Sequence, residues 1–336
     1  MKKEINILFT SAGRRVELLR AFRNAYKKLN LSGSIVAVDI DPLAPALQVA
    51  DRSYIVPPLT SRNYISTIRD ICRSSCIHLV FALIDPDIPI LAANRNMLEV
   101  TGARVVVVPH AAATIATDKW LTYQFLCGLD VRTPRSRLGE GVSHADFEYP
   151  LFIKPRFGSA SKKTFKVCNG RELSFFLEYV PNPIIQEYLP GPEITNDVLC
   201  DFEGNVLAVV SRQRIEVRWG EVTKGITIYD SSIIDSCVRI AKKLQAIGPI
   251  TVQCILKEGI PYFTEINARF GGGLPLGIAA GVDSPRWLLA KAAGLEVEIP
   301  TLGTYQVGLS MTRFDDSFFL SGEDIDEMES HRFRPG

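Results

Sequence analysis

The residues best suited to chemistry in this 336-residue chain lie between Pro249 and Gly273, PITVQCILKEGIPYFTEINARFGGG. Thr251 to Leu256 and Tyr262 to Asn267 are rich in β-branched and aromatic residues and flank a short turn at Lys257, Glu258 and Gly259. That pattern predicts a β-hairpin. Side chains alternate along a strand, so Glu265 and Asn267 share one face and Ile266 takes the other, toward a core. If the hairpin is symmetric about Gly259, Gln253 stands opposite Glu265 on that same face. One carboxylate and two amide oxygens then lie together, hard donors of the kind Mg²⁺ takes while also bound to phosphates. Arg269 follows, and Gly271, Gly272 and Gly273 would let the backbone approach a ligand closely. A surface hairpin with a polar outer face is the plain alternative, so the segments upstream have to decide.

Those segments are read in chain order. Ile5 to Thr10 is a buried strand, Ser11-Ala12-Gly13-Arg14-Arg15 is a turn, and a helix runs from about Val16 to Leu29. Ile35 to Asp39, Leu79 to Leu83 and Arg104 to Val108 are further apolar strands, with helices near Tyr64 to Arg73 and Ile88 to Glu99. Strands alternating with helices predict a parallel, doubly wound sheet over residues 1–112. Asp39 at the end of the second strand invites a dinucleotide site, but the first turn offers only Gly13 where G-x-G-x-x-G is needed. Arg14 and Arg15, at a helix start, are candidates for an anionic substrate group. Asp85 and Asp87 follow a strand, where open α/β sheets place ligands.

A new helix is expected over Thr114 to Tyr123, with Thr117 or Asp118 as N-cap and Lys119 in the first turn. Leu151 to Lys154 is a strand that returns as Thr164 to Val167. Its loop (Pro155 to Lys163, with Gly158, Ser159, Ala160 and Ser161 at the tip) is small and basic enough to offer amides and ammonium groups to phosphates. Ile184 to Leu189 is a strand ending in Gln186-Glu187-Tyr188-Leu189. The turn Pro190-Gly191-Pro192 then leads to Glu193, a carboxylate able to accept from ribose hydroxyls beside main-chain groups that could meet an adenine edge, with a solvated turn residue as the plain alternative. Val198 to Cys200 and Val206 to Ser211 are strands of a second sheet, and Arg212, Arg214 and Lys224 are basic positions that could face the same cleft.

Composition narrows the classes. Lys plus Arg total 38 against 37 for Asp plus Glu, a formal charge of +1, which argues against nucleic acid or an anionic membrane as partner. The seven cysteines form no C-x-x-C pair, and the Met1-Lys2-Lys3 start has no signal-peptide pattern. They read as reduced core residues of a cytoplasmic protein. His78, His110, His144 and His331 lack zinc-ligand spacing.

Taken together, the ordered set resembles the ATP-grasp superfamily, and within it the group containing the carbamoyl-phosphate synthase large subunit and biotin carboxylase. The residues that carry the resemblance are Lys119, Lys154 with the Gly158–Ser161 flap, Gln186 to Leu189, Glu193, and Gln253, Glu265, Asn267 and Arg269. It implies an α/β fold: a Rossmann-like pre-ATP-grasp domain (1–112), a small lid subdomain (113–188), a large subdomain with the metal site (189–318) and a tail (319–336). It also implies ATP and two Mg²⁺ ions, with Mn²⁺ as a substitute, as cofactors. Lys119 and Lys154 would contact the α- and β-phosphates, and the flap would cover the β- and γ-phosphates. Glu187 and Leu189 would meet adenine and Glu193 the ribose. Gln253 and Glu265 would hold one ion, Glu265 and Asn267 the other. Arg269, with Lys154, would be catalytic, and Arg14, Arg15, Arg214 and Gly272 would border the substrate.

The implied activity is a ligase that phosphorylates a carboxylate, or bicarbonate, and joins the acyl phosphate to an amine or another nucleophile. Its partners would be small molecules, and a homodimer is the assembly frequent among relatives. An ATP-binding module without catalysis and a Rossmann oxidoreductase are the alternatives. The carbamoyl-phosphate synthase large subunit has two such halves, whereas one lysine-flap set is found here.

Overall fold

The computed structural model describes residues 3–142, 147–158, 162–218, 220–330 and 332–333. The flap residues Ser159, Ala160 and Ser161, and His144 and His331, lie outside them.

The first layer is a parallel sheet of β1 (Ile7–Thr10), β2 (Ile35–Asp39), β3 (Arg52–Ile55), β4 (Leu79–Ala82) and β5 (Arg104–Val105), in the order β3-β2-β1-β4-β5. Apart from Thr10 and Asp39 at their ends, β1, β2 and β4 are apolar, and they are buried at every position, as expected of strands covered on both faces. The helices α1 (Val16–Leu29), α2 (Tyr64–Ser74), α3 (Asp87–Ala93) and α4 (Arg95–Glu99) supply the cover. α1 presents Leu18, Leu19, Phe22, Ala25 and Tyr26 to the sheet and stops at Asn30, which takes a left-handed conformation. The single helix expected over 88–99 is divided at Asn94, whose side chain donates to the Ile90 carbonyl (2.9 Å). β3 was not anticipated, because RSYI is an edge strand with little apolar signature.

Next come α5 (His110–Thr117) and α6 (Lys119–Cys127), followed by β6 (Ser136–Leu138), β7 (Leu151–Pro155), β8 (Phe165–Val167), α7 (Gly170–Tyr179) and β9 (Pro183–Glu187). The four strands form an antiparallel sheet ordered β6-β9-β7-β8. A larger sheet holds β10 (Glu193–Cys200), β11 (Val206–Arg218), β12 (Glu221–Ile228), β13 (Pro249–Lys257), β14 (Ile260–Asn267) and β15 (Ser310–Thr312), ordered β14-β13-β10-β11-β12-β15. α8 (Ser231–Lys243), α9 (Leu274–Ala279) and α10 (Ser284–Ala293) accompany it.

The two larger layers share their cores. Phe270, just after β14, packs against Phe22 and Phe81 of the first layer, with ring centroids 6.0 and 5.6 Å apart. The small sheet instead has its own minor core around Leu151, Ile153, Val167, Leu173, Val180 and Ile185. A subdomain with few apolar contacts to its neighbours can shift as a unit at little energetic cost.

Of the segment read as a tail, α11 (Gly322–Ser330) is helical. Arg332 then bridges to Ile55 and the Phe333 ring meets Tyr54 (5.8 Å). Cys72, Cys200, Cys237 and Cys254 are buried as expected, but Cys76, Cys127 and Cys168 are exposed, so only part of the set belongs to the core. They lie just after or at the ends of α2, α6 and β8, where the chain turns to the surface. No helix among the described residues is long and apolar enough to cross a membrane.

Candidate active site

The geometry of the site begins with the β13–β14 hairpin. Lys257 pairs with Ile260 across a two-residue turn in which Glu258 (φ 53°) and Gly259 (φ 77°) are both left-handed. This tight turn matches the twist of the strands. Continued without interruption, that register would set Gln253 opposite Thr264 and turn Glu265 to the other face. A bulge prevents this: the register shifts between Gln253 and Cys254, and Gln253 pairs with Glu265 and Thr251 with Asn267. The extra residue, Thr264, donates its hydroxyl to the Gln253 carbonyl (3.4 Å). An inserted residue reverses which side chains face which way, so the bulge is what brings the carboxylate beside the amide. Neighbouring strands extend the row, since Thr195 pairs with Gln253 and with Arg212.

Two lysines face this row. Asp118 caps α6 by accepting from the Trp120 and Leu121 amides (2.9 and 3.3 Å) and takes a two-point ion pair from Arg156 at the end of β7. Burial works against its charge, but the bonds from Arg156 and from these amides outweigh that and hold its pKa low. Lys119, the first residue of α6, is thereby aimed inward: its Nζ donates to the Gly158 carbonyl (2.5 Å) and lies 3.9 Å from Glu265. Lys154 is 7% exposed. Its burial lowers its pKa to about 8, with Glu265 opposing the shift and Lys119 adding to it.

These groups line a cleft of about 610 Å³ between the small sheet and the large one. Lys119, Lys154, Gly158, Gln186, Glu187, Tyr188, Leu189, Glu193, Arg214, Gln253 and Glu265 all border it, as do Lys162 and Lys163 of the flap. Several are held in advance. Gln186 donates to Ser136 (2.8 Å), Glu193 pairs with Arg214 (2.8 Å), and the Lys166 ammonium sits over the Tyr188 ring (4.3 Å). The Glu187 N–H is committed to the Arg135 carbonyl (3.0 Å), so that amide is unavailable to a ring in the cleft.

A second cavity of about 250 Å³ lies between the first layer and the large sheet. Arg15, Asp85, Arg212, Arg214, Glu221, Gln253, Asn267, Arg269 and Gly272 line it. Gln253 and Arg214 border both spaces. Arg269 is anchored by Asp85 (2.8 Å) and by the Phe270 carbonyl (3.1 Å), while its Nε is buried without a partner among the described residues.

Three expectations need correction, and the dinucleotide site at Asp39, already disfavoured by the missing fingerprint, meets a further obstacle. Arg14 is exposed and does not line the cavity, unlike its neighbour Arg15. Lys224 is drawn to Glu216 (2.7 Å) on the next strand, at the surface. Asp39 does not await a ribose, since its carboxylate already accepts from the Gly13 and Asp41 amides (2.8 and 3.1 Å). Gly271 and Gly273 are required by protein packing: a Cβ would stand 2.6 Å from Asp197 at the first and 2.1 Å from Arg212 at the second. Arg212 is 2% exposed and bound at two points by Asp197 (2.6 and 2.8 Å). The sequence reading missed that buried pair, although the strand period places Asp197 on the face of Thr195, the residue opposite Arg212. It also passed over Glu221.

Two stretches of the chain match known domain families. Residues 7–106 match the PylC-like N-terminal domain family and residues 116–273 the ATP-grasp domain family. Residues 116–273 therefore form an ATP-grasp domain. A D-alanine–D-alanine ligase of Petrotoga mobilis is 25% identical over 191 residues, 51% of this chain and 63% of that protein. The carbamoyl phosphate synthase large chain of Thermoanaerobacter is 25% identical over 230 residues, 62% of this chain and 21% of the other. The chain thus spans less than two thirds of these relatives. In fold it is similar to the biotin carboxylase domain of Hydrogenobacter thermophilus 2-oxoglutarate carboxylase, solved with MgADP and bicarbonate (TM-score 0.70, 19% identity, 87% of this chain and 70% of that one). It is likewise similar to an L-amino acid ligase from Bacillus licheniformis (TM-score 0.67, 20% identity, 87% and 75%).

Proposed function

We propose that the protein is an ATP- and Mg²⁺-dependent ligase that activates a carboxylate as an acyl phosphate and passes it to an amine or another nucleophile. The observation that carries this reading is the bulged row Glu265–Gln253, which faces two lysines on one side and borders a second cavity on the other. The larger cleft suits a nucleotide and the smaller a compact substrate, and a γ-phosphoryl group at their junction would reach both.

The donor set fits the metal. Among the described residues no cluster of three or more His, Cys, Asp or Glu side chains could hold an ion by itself. Glu265 with Gln253 and Asn267 offers one carboxylate and two amide oxygens, which suits a cation whose remaining ligands are phosphates. Bound there with the nucleotide, Mg²⁺ would neutralise phosphate charge. Lys119 and Lys154 would bind the phosphates, Glu193 the ribose, and the main chain near Leu189 the base. Arg269, fixed by Asp85, would stabilise the oxygens of the transferring group in a site dry enough for the charge to be felt strongly.

In the first step a substrate carboxylate oxygen attacks the γ-phosphorus, the bond to the β-phosphate oxygen breaks, and ADP leaves with that electron pair. In the second an amine nitrogen attacks the acyl carbon, and phosphate departs with the C–O electrons while the nitrogen loses a proton. The lid, with its separate core, would exclude the water that otherwise hydrolyses the acyl phosphate. Bicarbonate belongs among the substrates to be tried, in keeping with a carbamoyl-phosphate synthase-like chemistry. Glu265→Ala is expected to lower turnover by about 10³-fold or more with an unchanged circular dichroism spectrum. Mg²⁺-dependent turnover surviving in that variant would overturn the metal assignment.

A further inference from the structure

The turn between β1 and α1 is built more elaborately than a connection requires. Ser11 (φ 50°) and Gly13 (φ 49°) are both left-handed. Asp39 accepts from the Gly13 amide (2.8 Å). Asp87, fully buried on α3, accepts from the hydroxyls of Thr10, Ser11 (3.2 Å) and Tyr64 (2.9 Å). Left-handed backbone at a residue with a side chain is costly and persists where surrounding contacts impose it. The product of this bracing is the placement of Arg15, which directs its guanidinium over Gly272. A Cβ on that glycine would be 3.1 Å from Arg15 Nη1 and 3.5 Å from the Glu221 carboxyl carbon.

The other cations around the cavity are matched. Arg212 has Asp197, Arg214 has Glu193, Arg269 has Asp85, and Arg313 has Glu17 and the Gly272 carbonyl. Arg15 makes no side-chain hydrogen bond and no ion pair with any described residue, although it lines the cavity. The charged groups facing it are Arg269, Glu221, Asp85 and Arg313. Burial first, and Arg269 next, lower its pKa to about 10, with Glu221 and Asp85 opposing, so it stays charged at neutral pH. A half-buried guanidinium with no hydrogen-bonded or ion-paired partner is unfavourable to hold, and a ligand of opposite charge would relieve that.

We propose that Arg15 is the anchor of an anion subsite in the cavity between the first layer and the large sheet, and that the substrate entering there carries an anionic group of its own besides the carboxylate to be activated. The identification of that ligand as a substrate rests on the ligase reading; the subsite does not. Two sources share this chemistry: a second acid group on the activated compound, or an acid group on the incoming amine.

The test is calorimetric binding to the full chain saturated with Mg²⁺ and a non-hydrolysable ATP analogue. Succinate, glutarate and adipate are compared with butyrate, valerate and hexanoate, and β-alanine with propylamine. At least one acid-bearing probe should bind about tenfold more tightly than its matched control. That preference should vanish in Arg15→Gln and return in part in Arg15→Lys, while the ATP analogue binds both variants as it binds the parent. Preference within the dicarboxylates assigns the subsite to the activated compound, and preference for β-alanine assigns it to the amine. Equal binding within every pair, no binding of any probe, or an undiminished preference in Arg15→Gln overturns the proposal. A preference that depends on Arg15, with no ADP release on any acid, keeps the subsite and removes the ligase reading.

Discussion

The two cavities on either side of Gln253 are built differently. The cleft of about 610 Å³ lies between a large sheet and a small subdomain with its own core. The cavity of about 250 Å³ lies between two layers joined through Phe22, Phe81 and Phe270. In the cleft, Lys119 spends its charge on a carbonyl and a carboxylate 3.9 Å away, and Lys154 is desolvated. In the cavity, all the guanidinium groups except Arg15 have carboxylate partners. On the ligase reading, a nucleotide in the cleft would supply the negative charge that these lysines lack and would draw the small subdomain toward it. The cavity is preformed, and its ion pairs fix geometry before any ligand arrives.

This contrast is sharpest at Arg269. Arg269→Met should reduce turnover by about 10²–10³-fold and leave nucleotide affinity nearly unchanged, because the residue borders the cavity and not the cleft. A steady-state comparison of kcat with the nucleotide dissociation constant checks it; an equal loss in both would mean that the two spaces act as one. Rigidity of the cavity is next. Gly273→Ala places a methyl group 2.1 Å from the buried Arg212 guanidinium and should destabilise the protein by about 3 kcal/mol through the disturbed Arg212–Asp197 pair. Denaturant unfolding measures this, and an unaltered midpoint would show the pair to be compliant.

The smallest effect concerns Lys154. With its pKa lowered to about 8 by burial, it is charged below that pH and increasingly neutral above it. Phosphates favour the charged form, so nucleotide binding should take up a proton when the pH exceeds 8. Affinity should then fall as pH rises, approaching about tenfold per unit beyond the pKa. Calorimetry in buffers of different ionisation enthalpy detects the proton, and Lys154→Met should abolish this pH dependence.

Legibility in the sequence followed the same division. The cleft is made of contiguous stretches, Lys119, Lys154, Gln186 to Leu189 and the closing hairpin, whose periods and turns can be read locally. Even there, the pairing of Gln253 with Glu265 arises from a two-residue turn plus a bulge at Thr264, where the sequence suggests one symmetric loop. The two routes give the same pairing at Gln253 but different ones near the turn. The cavity draws Arg15, Asp85, Arg212, Glu221 and Arg269 from separate elements. Which of them meet depends on how the first layer docks on the large sheet, and nothing local encodes that. Gly271 and Gly273 illustrate the limit: the sequence marks close approach, and only the fold reveals that the approaching groups are Asp197 and Arg212.

Mg²⁺-dependent release of ADP from ATP, measured over a panel of carboxylates, amino acids and bicarbonate with and without an amine, tests the central claim most directly. A ligase should respond to one acid and need an amine for sustained turnover, with Glu265→Ala silent throughout. Tight ATP binding with no stimulation by any acid, or release equally fast in Glu265→Ala, would contradict it.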